Sequence, residues 1–261
     1  IVDPWQSDVL KDWMGRTDED IWSAPTCGLS VPRQNGKTLD TSGRIASGMI
    51  LYSEWVIYTA HLQKTATETF MELKGLFESR GLRKYIKEIK SALGREQIIL
   101  NNGGRVVFVA RTRNGGRGLH GDCLVFDEAQ ELTSEQQASF LPAISASRCP
   151  QTIYLGTPPD ENCVGAVFRK IRERALNGDS TSTAWTEYSV SEIGDVTDRT
   201  RWAACNPALG RRMTETTIAA ECEQMDSDTF ARERLGWWSP VNNDQDYAIN
   251  KAKWMACASD Q

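Results

Sequence analysis

Histidine and paired cysteine, on which many enzyme and metal sites depend, are scarce in this sequence. Only His61 and His120 occur among 261 residues, which leaves too little material for a His-based metal site or a Ser-His-Asp relay. The seven cysteines are scattered and form no C-x-x-C pair. The sequence therefore disfavours a disulfide scaffold and a zinc knuckle, and it indicates a reducing compartment. Chemistry must rest on carboxylates, lysine, arginine and hydroxyl groups.

Long apolar runs and internal repeats are absent as well. No apolar stretch in the sequence approaches the ~18 residues that a membrane-spanning helix needs, and runs such as 106–110 are typical of buried strands. Hydrophobic residues nevertheless make up 40% of the chain and charged residues 25%, which is the composition of a globular core. The length fits one large domain or a domain with a small satellite. Because the first residue is Ile1 rather than Met, we expect a piece of a longer protein.

The charge is unevenly distributed. The formal net charge is -5, yet residues 80–117 contain ten Lys and Arg against two Glu, so this segment carries +8 and the rest of the chain -13. A basic band on an acidic body can meet a polyanion locally. The alternative is a solvated helix face with ordinary loop arginines.

Predicted strands and helices alternate along most of the chain. Helices are predicted over 4–14, 37–51, 63–80, 134–147 and 164–176, and strands over 22–31, 54–60, 97–100, 106–109, 123–126, 152–155 and 184–190, the third and fourth forming a hairpin. This alternation predicts an α/β fold with a mainly parallel sheet covered on both faces. Beyond residue 190 the chain is helical and polar, with helices over 214–225 and 227–235. We therefore predict a core over 1–190, a small lid or linker subdomain over 191–240, and a tail over 241–261.

The strongest chemical signal is the segment VPRQNGKT, residues 31–38, between a predicted strand and a predicted helix. In such a turn, backbone N–H groups and the helix N-terminus face a phosphate, Lys37 reaches the β- and γ-phosphates, and Thr38 ligates Mg²⁺. The usual P-loop pattern has glycine where Val31 stands. The alternative is a surface turn that precedes a helix.

Two further strand ends carry polar side chains. Asp127 and Glu128 follow the apolar segment 123–126, at the end of a strand where open α/β sheets bind ligands. We expect Asp127 to hold Mg²⁺, and Glu128, on the opposite side because strand residues alternate, to orient a water for attack on the γ-phosphate. Thr157 follows the next predicted strand as a candidate γ-phosphate sensor. The alternatives are an acidic helix cap for the acid pair and a turn-bracing hydroxyl for Thr157.

Taken in order, these motifs resemble a known family. Trp5-Gln6, the segment 33–38, the segment DEAQ at 127–130 and Gly156-Thr157-Pro158 resemble the large terminase subunit of tailed bacteriophages, the ATPase that drives genome packaging. That family carries a variant phosphate loop with an arginine at the position of Arg33. The resemblance covers about residues 4–238, and its lid and linker segment is similar to 202–207 and 234–237.

The resemblance implies a P-loop NTPase fold of the additional-strand (ASCE, RecA-like) type, with ATP and Mg²⁺ as cofactors. It implies that a strand lies between the phosphate-loop strand and the acid-pair strand, and that Thr157 couples loss of the γ-phosphate to lid movement. Gln6 would read the adenine with Trp5 packing beside it, the alternative being plain helix packing. The phosphates would be bound by the loop residues Arg33, Gln34, Asn35, Gly36, Lys37 and Thr38.

The resemblance also implies partners. In a ring of copies, Arg117 would reach the ATP of a neighbouring subunit, with Arg113 as the rival; the alternative is that both are ordinary loop arginines. The ring would be pentameric on the capsid and the isolated chain monomeric. Double-stranded DNA, the portal protein, the procapsid and the small terminase subunit would be the partners, in the host cytoplasm at the portal vertex. Lys84, Lys87, Lys90 and Arg95 could touch DNA phosphates or be solvated charges.

Large terminase subunits normally carry a metal-dependent nuclease domain after the ATPase. The segment 241–261 has only Asp244, Asp246 and Asp260, too few without a strand framework to bind two metals, so we expect no nuclease activity here. Two other functions stay open. One is a helicase-like ATPase, since helicases share the DEAQ-type acid box and the adenine motif; the other is a non-catalytic ring or docking module with a fixed nucleotide.

Overall fold

A computed structural model of the chain describes residues 2–92, 94–160, 163 and 165–240. The strands in this part of the chain are β1 (Thr26–Ser30), β2 (Trp55–Ala60), β3 (Ile86–Lys90), β4 (Gln97–Leu100), β5 (Arg105–Ala110), β6 (Cys123–Phe126), β7 (Gln151–Gly156) and β8 (Thr183–Glu187). The helices are α1 (Pro4–Met14), α2 (Lys37–Tyr52), α3 (Gln63–Glu78), α4 (Ser134–Phe140), α5 (Ala166–Leu176), α6 (Arg199–Cys205), α7 (Glu215–Gln224) and α8 (Ser227–Leu235).

The strands form one sheet in the order β3-β4-β5-β2-β6-β7-β1-β8. The five neighbouring pairs from β5 to β8 are parallel, and only the β3-β4-β5 edge is antiparallel. Strand β7 lies between β1, which leads into residues 31–38, here called the phosphate turn, and β6, which leads into the acid pair of Asp127 and Glu128. The mainly parallel sheet that the alternating elements predicted and the inserted strand that the family resemblance implied are therefore confirmed.

Apolar side chains bury both faces of the sheet. On one face, Trp13 of α1, Ile45 of α2 and Phe70 of α3 pack against the strands. On the other face, Phe140 of α4 and Phe168 of α5 pack against them. A third cluster joins α6, α7 and α8 through Trp202, Cys205, Met213, Ile218, Phe230, Ala231 and Leu235. Helices α6, α7 and α8, here called the helical subdomain, thus share a small core of their own, and the predicted bounds 191–240 stay a prediction.

Three elements differ from the sequence prediction. Strand β3 and helix α6 were not predicted. The helix predicted over 134–147 ends at Phe140 and continues as a 3₁₀ turn, Leu141–Ile144, because Pro142 has no N–H to donate to a carbonyl of the preceding turn. No helix in the described part of the chain is long and apolar enough to cross a bilayer. The predicted tail over 241–261, with Asp244, Asp246 and Asp260, lies outside the described residues.

Candidate active site

A cleft lies at the ends of three parallel strands. The phosphate turn follows β1, Asp127 and Glu128 follow β6, and Thr157 follows β7. Parallel neighbours end at the same edge of a sheet, which is where ligands bind in open α/β folds. The cleft encloses about 240 Å³ and is lined by Arg33, Gln34, Lys37, Thr65, Asp127, Glu128, Gln130, Gly156 and Thr157. The predicted lysine, acid pair and third-strand threonine therefore meet in one place.

A larger cavity of about 580 Å³ lies elsewhere, beside the loop that carries Arg113 and Arg117. It contains none of the phosphate-turn or acid-pair residues. It is lined by exposed loop residues and by α4, and His120 and Glu135 contribute an imidazole and a carboxylate to the lining. Chemistry rather than size therefore makes the smaller cleft the candidate active site, and Arg113 and Arg117 do not line it.

The phosphate turn is built from two left-handed backbone positions. Gln34 has φ 65° and Gly36 has φ 98°, and a Cβ on Gly36 would lie 3.2 Å from the Gln6 Nε2 atom, so a side chain there would be strained as well as crowded. Helix α2 then begins at Lys37, directing its N-terminus toward the turn. This local geometry is typical of an anion-binding loop.

Lys37 folds back onto the turn that precedes it. Its Nζ donates to the carbonyl oxygens of Val31 at 2.7 Å and Pro32 at 3.4 Å. Burial lowers the pKa of Lys37 to about 8, although the Asp127 carboxylate counters part of that shift. The half-buried Lys37 ammonium group thus lies close enough to Asp127 to be influenced by its charge.

Asp127 is held at both carboxylate oxygens. Oδ1 accepts from the Glu128 backbone N–H at 2.8 Å, and Oδ2 accepts from the Tyr58 hydroxyl at 2.5 Å. Burial and the Asp127 charge raise the pKa of Tyr58 well above its usual value, so the hydroxyl stays protonated. Tyr58 was not singled out by the sequence, because a tyrosine in an apolar strand looks like any core residue.

Glu128 turns away from the strand direction. Strand β6 ends at Phe126, and Glu128 adopts a left-handed conformation with φ 51°. The two acids therefore do not alternate as strand residues would. The prediction that they lie on opposite sides was wrong, because both line the same cleft. The Glu128 carboxylate accepts from the His61 backbone N–H at 3.2 Å and from the Thr65 hydroxyl at 3.4 Å. Thr65, at the start of α3, is a second site residue that sequence reasoning missed.

Arg111 supports the acid pair from behind. Its buried guanidinium donates to the carbonyl oxygens of Thr59 at 3.2 Å and Glu128 at 2.9 Å, and also to that of Asp127. Burial lowers the pKa of Arg111 to about 10, against the raising effect of the neighbouring carboxylates. Its position directly after an apolar strand was the signal that could have identified it.

The donor set fits magnesium. Among the described residues no three His, Cys, Asp or Glu side chains come together as a metal site. Mg²⁺ is usually bound through one or two carboxylates together with waters and substrate phosphates, so Asp127 with the Thr38 hydroxyl is a suitable set. Thr38 lies half-buried in the first turn of α2, outside the residues that line the cleft.

Gln6 and Trp5 lie behind the phosphate turn rather than in the cleft. Gln6 is fully buried, and its amide donates to the Gly36 carbonyl at 2.9 Å while accepting from the Asp3 N–H at 2.9 Å. Trp5 packs edge-on against the Tyr188 ring, 5.6 Å between centroids. The Gln6 hydrogen bond stabilises the turn, and adenine reading by Gln6 stays a prediction.

Asn35 and Arg33 connect the turn to the helical subdomain. The buried Asn35 amide donates to the Asn206 Oδ1 atom at 3.0 Å and accepts from the Ala208 N–H at 3.1 Å. Arg33, 65% exposed, forms an ion pair with Glu233 at 2.7 Å, and its carbonyl accepts from Arg234 at 3.0 Å. Asn35 therefore faces the subdomain, whereas Arg33 also borders the cleft.

Thr157 and Gln130 connect the remaining two strand ends. The Thr157 N–H donates to the Gln130 Oε1 atom at 3.3 Å, and both residues line the cleft. A Cβ on Gly156 would lie 2.7 Å from that same oxygen. The close approach of the β7 end to the residues after β6 thus depends on glycine at position 156.

Comparison with known proteins identifies the fold. No protein-family model matches the chain, and no curated protein does either. Among solved structures, the large terminase of bacteriophage HK97 aligns with a TM-score of 0.77 at 19% identity, over 98% of this chain and 54% of that one. A large terminase from a thermophilic bacteriophage, in complex with ADP, aligns with a TM-score of 0.63 at 12% identity, over 91% and 54%.

The ATPase domain of the large terminase of Thermus phage P74-26 also aligns, with a TM-score of 0.59 at 12% identity, over 87% of this chain and 91% of that domain. The chain spans about half the length of the two whole large terminases it matches. It therefore has the fold of a large terminase ATPase domain, and the expected P-loop NTPase architecture is confirmed.

Proposed function

We propose that this chain is the ATPase module of a viral DNA-packaging motor. It hydrolyses ATP to ADP and phosphate with Mg²⁺ and uses the energy to move double-stranded DNA into a procapsid. One observation carries the proposal: Lys37, Asp127 and Glu128, separated by some ninety positions in the sequence, line a single cleft at the ends of parallel strands. The terminase ATPase fold and a similar structure solved in complex with ADP support it.

In this proposal each side chain of the site has a separate role. Lys37 and the loop N–H groups bind the β- and γ-phosphates, with Arg33 at the cleft border. Thr38 and Asp127 hold Mg²⁺, which when bound offsets the negative charge on the phosphate oxygens. Glu128 orients the attacking water toward the γ-phosphate and accepts a proton from that water. Thr157, at the end of β7, detects whether the γ-phosphate is present.

Replacing Glu128 tests the activity. We expect Glu128→Gln to keep ATP binding and lose turnover by about 100-fold or more, because an amide cannot take the proton. ATP hydrolysis and nucleotide affinity are measured with and without procapsids, beside the control Glu78→Gln, an exposed residue at the end of α3. A parent chain without turnover under either condition would instead favour the non-catalytic docking module, and strand separation on a tailed duplex would favour a helicase.

We infer that the packaging partners are those of large terminases: DNA, the portal protein, the procapsid and the small terminase subunit. The basic residues Lys84, Lys87, Lys90 and Arg95 are exposed at the β3–β4 edge of the sheet, which supports a DNA-facing surface. If they contact phosphates, each replacement by alanine should reduce the salt dependence of DNA affinity by a slope of about 1. Lys11→Ala on α1, also exposed, is the control, and an unchanged slope in all four variants would assign the charges to solvent.

A further inference from the structure

Tyr58 carries a hydroxyl that points out of the core toward the acid pair. The residue lies in β2, which neighbours β6 with Tyr58 opposite Val125, and it is fully buried. Its ring packs against Phe108, 5.3 Å between centroids. Its hydroxyl lies 2.5 Å from the Asp127 Oδ2 atom and 2.9 Å from the Thr69 hydroxyl.

Proton chemistry fixes the direction of these two hydrogen bonds. An ionised carboxylate can only accept, and a phenol has one hydrogen, so Tyr58 donates to Asp127. The phenol oxygen then accepts from the hydroxyl of Thr69, a buried residue of α3. The result is an ordered chain from Thr69 through Tyr58 to Asp127.

The second carboxylate oxygen is fixed independently. Oδ1 accepts the backbone N–H of Glu128 at 2.8 Å, and Arg111 in turn holds the carbonyl oxygen of Glu128. With one donor on each oxygen, rotation of the Asp127 carboxyl group would break a hydrogen bond inside a low-dielectric site, which is costly. The free lone pairs of Asp127 therefore keep one direction.

We propose that Tyr58, supported by Thr69, is a positioning residue that orients the Asp127 carboxylate for Mg²⁺; this rests on the proposed function of the cleft. Mg²⁺ demands near-ideal octahedral geometry, so the angle at which a single carboxylate is presented matters. Partners that hold a metal ligand in place typically change metal affinity about 10- to 100-fold when they are removed. Packing alone does not need the hydroxyl, since phenylalanine fills the same space.

The experiment measures Mg²⁺ dependence without relying on turnover. The affinity of a fluorescent ATP analogue is titrated against Mg²⁺, with a baseline in EDTA, and Mn²⁺ binding is followed by electron paramagnetic resonance. We expect Tyr58→Phe to raise the half-saturating Mg²⁺ concentration about 10-fold and leave the EDTA baseline unchanged. Thr69→Val should produce a smaller shift in the same direction, and Thr69→Ser, which keeps the hydroxyl, should restore the parent value.

Tyr154→Phe is the matched control. Tyr154 is also a buried strand tyrosine, in β7, and its hydroxyl accepts from the Gln137 amide, whereas that of Tyr58 donates to Asp127. Thermal unfolding of each variant reports folding, and Thr69→Val supplies the answer if Tyr58→Phe does not fold. Parent-like Mg²⁺ curves for Tyr58→Phe and Thr69→Val, or an equal shift in Tyr154→Phe, would overturn the inference.

Two reference measurements separate this inference from the proposed function. A parent chain that binds no nucleotide at all contradicts the proposed function. A parent chain whose nucleotide affinity depends on Mg²⁺, and loses that dependence in Asp127→Asn, supports the proposed function. In that second case, a Tyr58→Phe variant with the same Mg²⁺ dependence as the parent would contradict the role of Tyr58 and leave the proposed function standing.

Discussion

At the scale of single residues, Arg111 contacts the backbone of both acids. One buried guanidinium donates to carbonyl oxygens at the ends of β2 and β6. The Thr59 and Glu128 carbonyls each accept a backbone N–H as well, so Arg111 adds a charged donor to them. The planar fork of arginine suits this task, whereas the single ammonium of lysine reaches only part of the set.

Replacing Arg111 by lysine should therefore destabilise the fold and the site together. We expect the free energy of unfolding to fall by about 1–3 kcal/mol, because buried carbonyl oxygens lose charge-assisted hydrogen bonds, and ATP turnover to fall with it. Urea unfolding measures the first effect. The control is Arg113→Lys, the same change two residues along the loop at an exposed position, and equal stabilities of the two variants would contradict this role for Arg111.

The sequence predicted the candidate site residues that belong to short motifs. Lys37, Asp127 and Glu128 each lie in such a motif at the end of a strand, so the residues next to them in the sequence identify them. Tyr58 and Thr65 contribute through contacts between elements that are distant in sequence, and no local pattern marks them. Arg111 contributes in the same way, and only its position directly after an apolar strand distinguishes it. Gln6 illustrates the same limit, since the pattern named the residue but not its bond to the Gly36 carbonyl.

At the scale of elements, a charged network attaches the edge strand β8 to helix α5. Glu187 accepts two hydrogen bonds from Arg172, at 2.7 and 2.9 Å, and further ones from Trp185 and Ser189. Burial raises the pKa of Glu187, but the hydrogen bonds from Arg172, Ser189 and Trp185 outweigh it and leave the pKa below the usual 4.5. The ionised form is thus the one that stabilises the native state.

The stability of a Glu187→Gln variant should differ from the parent in a pH-dependent way. A carboxyl group whose pKa is lowered by folding contributes stability above its unfolded pKa and loses it as the pH falls through the folded value. We expect a deficit of about 1–3 kcal/mol at pH 7 that shrinks as the pH drops below 4.5. Unfolding at several pH values measures it, beside Glu173→Gln, an exposed change on α5. A deficit that is constant with pH would contradict the charge-based explanation.

A second contact between elements links the phosphate turn to the helical subdomain. Asn35 and Asn206 are both buried and bond to each other, and Asn206 also donates to the Arg234 carbonyl at 2.7 Å. In a double-mutant cycle of Asn35→Ala and Asn206→Ala, we expect a coupling energy of about 1 kcal/mol in stability. Additive effects of the two substitutions would show that the turn and the subdomain are energetically independent.

Most of the fold was predictable because periodicity and strand-end polarity agree over the sheet from β5 to β8. Strand β3 escaped prediction because it is an edge strand with exposed lysines, Lys87 and Lys90, and so lacks an apolar pattern. Helix α6 is only seven residues long, too short for periodicity to stand out. The early end of α4 required weighing one proline against an otherwise helical segment.

At the scale of the whole molecule, the arginine loop and the cleft are separate surfaces. Arg113 and Arg117 are exposed and border the larger cavity, whereas the residues lining the cleft include neither. If an arginine from this loop completes an active site, that site belongs to another copy of the chain. A head-to-tail ring provides such an arrangement, because each interface joins two different surfaces.

Mixing two inactive variants tests this arrangement. Glu128→Gln removes the base but keeps Arg117, and Arg117→Ala removes the arginine but keeps the base, so we expect each alone to be inactive. In randomly mixed rings on procapsids, about a quarter of the sites should combine an intact Glu128 with a neighbour's Arg117 and regain turnover. The same mixture with Arg113→Ala tests the rival residue.

The control mixture pairs Arg117→Ala with the double variant Glu128→Gln/Arg117→Ala, which supplies no arginine and should stay inactive. Light scattering verifies that mixed assemblies form. Because the arginine acts on charge that develops during phosphoryl transfer, its loss should lower turnover far more than nucleotide affinity. Full activity of the Arg117→Ala and Arg113→Ala chains alone would mean that the cleft is complete within one subunit, and the loop would then have no part in hydrolysis.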